Sequence, residues 1–160
     1  MNTKESAALR PLLLDAMSGG HAHVEFESAV KDFPPETRGM KPAGAPHTAW
    51  QLLEHMRIAQ NDILEFSRNP KHKSPEWPEG YWPATDAPPD AKAWDHSIRS
   101  FQKDAREMRD WIEDEKQDLL KSFEHGQGQT LLREALLIAN HNSYHLGQLV
   151  FLKKALQTRG

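Results

Sequence analysis

A chain of 160 residues with 38% apolar and 27% charged side chains has the size and polarity of one globular domain able to bury a core. Its formal charge of −3, with Lys and Arg interspersed among Asp and Glu, offers neither the basic patch that nucleic acid needs nor a polybasic segment for an anionic membrane. The absence of cysteine excludes disulfides, thiolate metal sites and a cysteine nucleophile, so any metal must be held by imidazole, carboxylate, amide or water.

The opening MNTKESAALRPLLLDAM is too acidic, and its apolar run too short, for a signal peptide. No stretch approaches the ~20 apolar residues of a membrane span. A cytoplasmic protein is expected, with no nucleic-acid or membrane partner.

Helical spacing dominates in chain order. Residues 4–17 carry Ala8, Leu12, Leu13 and Met17 at helical intervals and stop at Ser18-Gly19-Gly20. A second stretch, 21–32, holds Val24, Phe26 and Val30 before Pro34-Pro35 ends it. Residues 34–47 read as a loop. Thr48 then opens a helix with Gln51 as its capping-box partner. Leu52, Met56, Ala59, Ile63 and Phe66 form its apolar seam, and Asn69-Pro70 closes it. The proline-rich segment 70–89, containing WPEGYWP, is a long irregular connection of a kind that is uncommon unless packed or functional.

A further helix is expected from about Asp90 to about Glu115, with Trp94, Ile98, Phe101, Ala105, Met108 and Ile112 facing the core. After the turn KSFEHGQGQT, Thr130 can cap a last helix over about 131–157. That helix has two apolar stripes: Leu132, Leu136, Ala139, Leu146 and Val150, and Leu131, Ile138, Leu149, Leu152 and Leu156. A helix apolar on two sides is central in a bundle or also meets another subunit. The expected architecture is all-α: one domain over residues 1–160, a four-helix bundle with an extra N-terminal helix and a long Pro-rich loop.

The phrase NHNSYHLGQL places His141 and His145 four residues apart, on one face of the last helix. With nine histidines in the chain, such a pair arises by chance about half the time, so spacing alone is weak evidence. The pair projects near the second apolar stripe, where an imidazole needs a partner. His55 lies on the Thr48 helix about 60° from the centre of its seam at the helical step of about 100° per residue. Three imidazoles from two core-facing helices can converge on one point, and a three-histidine set with an open position is the geometry of a catalytic zinc site. Three hydrogen-bonded core histidines are the competing reading, and the residues alone leave the two level.

The stretches PHTAWQLLEHMRIAQNDI and REALLIANHNSYHLGQLVFLKK resemble the DinB-like superfamily, four-helix bundles that include S-transferases dependent on bacillithiol, mycothiol or glutathione. The family signature, one histidine in the second bundle helix and HxxxH followed by Gly-Gln in the last, falls on His55, His141, His145 and Gly147-Gln148. The resemblance runs from about residue 20 to 156. It implies a divalent metal ion, usually nickel or zinc, held by His55, His141 and His145, and frequent homodimers.

Metal-dependent transfer of a low-molecular-weight thiol to a small-molecule electrophile and hydrolysis by metal-activated water both fit. A non-enzymatic bundle acting as a dimeric metal-binding or interaction protein is the alternative. Nothing in the sequence provides the two ExxH motifs of a di-metal carboxylate bundle or the HExxH of a metalloprotease. A hemerythrin-like pattern lacks its second histidine–carboxylate pair.

Among other residues, His47 stands just before the Thr48 cap, as a proton-transfer group or, more plainly, an exposed histidine. His21 and His23 form HxxxE pairs with Glu25 and Glu27, and His23 is the better candidate to face a pocket. Asn142, Tyr144 and Gln148 can hydrogen-bond imidazoles, helix surface being the simpler reading. The aromatic residues of WPEGYWP either roof the pocket or, more simply, pin the loop. His72, His96 and His125 are expected to face solvent.

Overall fold

The computed structural model describes residues 3–157. The described chain forms α1 (Thr3–Ser18), the short α2 (Phe26–Val30), α3 (Ala49–Arg68), α4 (Ala93–Glu113) and α5 (Leu131–Gln157), with single 3₁₀ turns at Pro35–Thr37 and Glu79–Tyr81. The four long helices close a ring of contacts in the spatial order α1, α5, α3, α4, and α2 packs against α5. This is an all-helical bundle. Among the described residues no helix is long and apolar enough to cross a membrane.

Local sequence sets the ends of these helices. The Thr48 hydroxyl accepts the Gln51 amide at 3.1 Å while the Gln51 side chain accepts the Thr48 amide at 3.0 Å, a complete capping box that starts α3 as expected. At α5 the Thr130 hydroxyl accepts the Arg133 amide at 3.2 Å. Gly19, at φ +80°, provides the left-handed residue that stops α1; a Cβ there would sit 2.4 Å from the His23 ring.

The core falls into two clusters. One, around Leu52, Leu53, Met56, Trp94, Phe101, Leu146 and Leu149, includes residues of α3 and α5 next to the histidines. The other, with Leu13, Leu64, Met108, Ile112, Leu131 and Ile138, fills the opposite end.

Three expectations need correction. Over 21–32 only Phe26–Val30 is helical, because the chain first turns through 19–23 and Lys31 is already extended. On α1 it is Leu13, flanked by Leu9 and Met17, that reaches the core, while Leu12 is 64% exposed. On α5 the stripe of Leu131, Ile138, Leu149 and Leu152 is buried, but Leu136 of the other stripe is exposed.

Candidate metal centre

His55 is on the second turn of α3, and His141 and His145 stand one turn apart on α5, the helix packed beside it. The two helices bring the three rings together at the core: His55 and His145 are buried and His141 is half-buried. His55 Nε2 lies 3.0 Å from His141 Nε2 and 3.1 Å from His145 Nε2. One ligand atom from each residue fits within 4.8 Å of the others.

The outward nitrogens explain why the inward ones are bare. His55 Nδ1 is 2.8 Å from the Tyr81 carbonyl oxygen, which can only accept, so the ring proton sits on Nδ1. His145 Nδ1 is 2.6 Å from the Gln148 side-chain oxygen and is a donor for the same reason. Both rings are thereby held in the tautomer that leaves an Nε2 lone pair for the centre.

Burial keeps the rings neutral. It pushes His141 down to about 4, helped by the neighbouring His55 and opposed by the Asn142 side chain. It pushes His145 to about 4 as well, with His141 the next contributor. His55 is lowered chiefly by burial, against the raising effect of its hydrogen bond to Tyr81.

Two neutral imidazoles that confront each other with lone pairs 3.1 Å apart repel. A cation between them turns that repulsion into coordination. Metal–imidazole bonds of ~2.0–2.1 Å place adjacent nitrogens of one shell about 2.8–3.4 Å apart, which brackets both observed separations. The donor set and its protonation therefore fit a divalent metal ion.

The surroundings come mainly from the proline-rich loop. Trp82 stacks on His55 with ring centroids 3.9 Å apart and planes 2° from parallel. His47 stacks on Trp82 at 4.0 Å, and Trp82 meets His145 edge-on at 6.3 Å. The Tyr81 hydroxyl donates to Asp62 of α3 at 2.7 Å, and Asp62 is also 2.7 Å from His72 Nε2. Burial and this carboxylate push the Tyr81 phenol up to about 12. The loop is thus tied to α3 at Asp62, and the tie fixes the carbonyl that orients His55. Trp82 covers the His55 ring, whereas Trp77 of the same loop is 73% exposed.

The remaining candidates separate cleanly. His47 is half-buried against Trp82, and burial lowers it, with Lys41 adding to the effect. His23 reaches α5 but meets Ser143 at 2.8 Å and faces a different groove, shared with His21, Asp15 and Arg133. Gln148 contacts His145; Asn142 donates to Gln60 at 2.9 Å and its side chain also bears on His141, and Tyr144 packs edge-on against His145 at 4.9 Å with most of its surface exposed. His72 is not solvent-facing, being paired with Asp62. His125 is exposed but hydrogen-bonds the Phe66 carbonyl, and His96 is exposed. The sequence points to Tyr81 only as one of the WPEGYWP aromatics, and to Asp62 not at all. The one hint was aromatic enrichment in a long loop, which does not say which carbonyl faces a ring.

No curated protein and no solved structure matches the chain. The family profile described as the DinB superfamily matches residues 21–149, and the chain, with its three-histidine group at the bundle core, belongs to that superfamily.

Proposed function

We propose that the protein is a metal-dependent enzyme of the thiol-transferase type, in which His55, His141 and His145 hold one divalent ion, nickel or zinc, and a low-molecular-weight thiol is joined to a small electrophile. The observation that supports this reading is the meeting of three neutral Nε2 atoms at 3.0–3.1 Å with the protons of His55 and His145 held on the opposite side of each ring. An ion bound there supplies Lewis acidity and favours the thiolate form of a thiol, the more nucleophilic one. The chain itself lacks cysteine, so the sulfur comes from a cosubstrate.

The protein's own residues orient and shield. The Tyr81 carbonyl and the Gln148 amide oxygen fix two ligand rings, which removes the cost of orienting them on binding. Trp82 lies flat on His55 and keeps water from that face. His47, on the far side of Trp82, presents a second imidazole toward the neighbouring cavity. That cavity is mostly apolar in its lining, which favours transfer to an apolar electrophile over hydrolysis of a polar ester or amide.

The test begins with protein purified without chelator and incubated with Ni²⁺ or Zn²⁺. Elemental analysis is expected to give one ion per chain in the wild type and none in His145→Ala. Screening the loaded protein with several thiols and an electrophilic dye then reads transfer, and conversion with a single thiol names the cosubstrate. Absence of metal uptake overturns the proposal; uptake with ester cleavage but no thiol consumption replaces transfer by hydrolysis.

A further inference from the structure

A cavity of about 340 Å³ lies between the end of the loop before α3, the first turn of α3 and the outer face of α5. Its walls include His47, Leu52, Tyr144, Gly147, Phe151 and Leu152, and Gln148 completes the side nearest the histidines. Gln148 also accepts the Nδ1 proton of His145, so a single side chain separates the cavity from a metal ligand.

Three observations say what it would hold. Its volume is at the lower end of the range for small-molecule pockets, which runs from about 300 to 1,000 Å³. None of its lining residues is Asp, Glu, Lys or Arg, so an ionised ligand would lose its hydration there without a counter-charge. Gly147 sits inside α5 without positive φ, and a Cβ built on it meets nothing within 4 Å. A glycine in a helix interior costs stability relative to alanine. Neither backbone conformation nor packing within the chain requires this one, and what its missing side chain leaves open is the cavity.

We propose that this cavity is the subsite for a neutral, apolar, ring-sized small molecule, the electrophile of the thiol transfer proposed above, on which the identification of its occupant as a substrate rests. The exposed rings of Tyr144 and Phe151, seven residues apart on α5 and 65% and 71% exposed, flank the mouth and offer faces for stacking. His47 and Gln148 supply the polar contacts that would set orientation. An ionised cosubstrate would be excluded from this side by the same lack of counter-charges.

The probe is N-phenyl-1-naphthylamine, neutral and fluorescent in apolar surroundings, titrated into the full-length protein with and without Ni²⁺. The wild type should bind one equivalent saturably. Gly147→Leu, which places a side chain in the cavity and favours the helix, should weaken binding by about tenfold or more while keeping the metal. Phe151→Ala, at an exposed position, should weaken it about threefold.

Wild-type protein without a saturable signal, or Gly147→Leu binding as tightly as wild type, overturns the subsite. So does a Gly147→Leu variant that changes only its oligomeric state in sedimentation, which would make this face a contact between copies. Metal stoichiometry is read on the same samples. Saturable binding that Gly147→Leu abolishes, in protein that takes up no metal, upholds the cavity and removes the transferase reading. Metal uptake without probe binding does the reverse.

Discussion

At one end of the bundle Leu64, Met108, Ile112, Leu131 and Ile138 form an apolar core, and the buried Arg10 there directs its guanidinium to the carbonyls of Ile112, in the last turn of α4, and Gln117, in the turn that follows it. Its donors meet acceptors, as buried polar groups normally do. At the other end His55, His141 and His145 are packed among Trp82, Leu146 and Met56, yet each inward nitrogen faces another nitrogen. The first end is complete within the chain. At the second, the bare nitrogens of His55 and His145 face each other, a set that a cation would complete, and the difference marks where folding stops being the sole demand on the sequence.

The contrast breaks most sharply on the ligands. His55→Ala and His145→Ala are each expected to lower affinity for Ni²⁺ or Zn²⁺ by more than about a hundredfold, beyond the effect of losing an outer-shell partner, measured by competition with a chelating dye. The metal-free variants should stay folded, since each relieves the contact between bare nitrogens while giving up the packing and outward hydrogen bond of one ring. At the other end Met108→Ala should cost about 2–5 kcal/mol in denaturant unfolding of the metal-free protein and leave metal affinity unchanged. A ligand variant that unfolds the metal-free protein, or a Met108 variant that loses metal affinity in folded protein, erases the distinction.

Smaller effects sharpen it. Tyr81→Phe removes the hydroxyl that ties the loop to Asp62 but not the carbonyl that holds His55. Metal affinity should drop about tenfold, and the loss should be matched by Asp62→Asn. Affinity unchanged in both would show that the loop is placed by Trp82 stacking alone.

A further expected effect is on pH dependence. His141 and His145 are lowered from 6.5 to about 4 in the folded chain, so below pH 6.5 the unfolded chain binds protons that the folded one does not. The metal-free protein should hold its full stability above pH 6.5 and lose part of it as pH falls toward 4. His141→Gln should flatten that slope in urea titrations run at successive pH values. A slope unchanged by this substitution would mean that the histidine rings are not held neutral by burial.

How much of this was legible in the sequence differs along the chain. The capping box at Thr48, the seam Leu52–Met56–Ala59 and the start of α5 after Thr130 were readable because each is a local pattern of a few residues. The three histidines stood out through HxxxH together with the family resemblance, since one imidazole pair by itself is near chance. What could not be read depends on packing between distant segments. Leu12 and Leu13 look alike in sequence, and only the placement of α1 against α4 and α5 selects Leu13. His72 looked solvated until the loop folded it onto Asp62. The Tyr81 carbonyl, which decides the tautomer of His55, is a backbone group in an irregular loop, and no side-chain pattern announces it.

The most direct measurement is X-ray absorption at the metal edge of protein loaded with one equivalent of Ni²⁺ or Zn²⁺. Three imidazole scatterers at ~2.0–2.1 Å, falling to two in His55→Ala, are predicted. A shell built from oxygen with fewer than three imidazoles in the wild type would contradict the convergence of positions 55, 141 and 145 on a single ion.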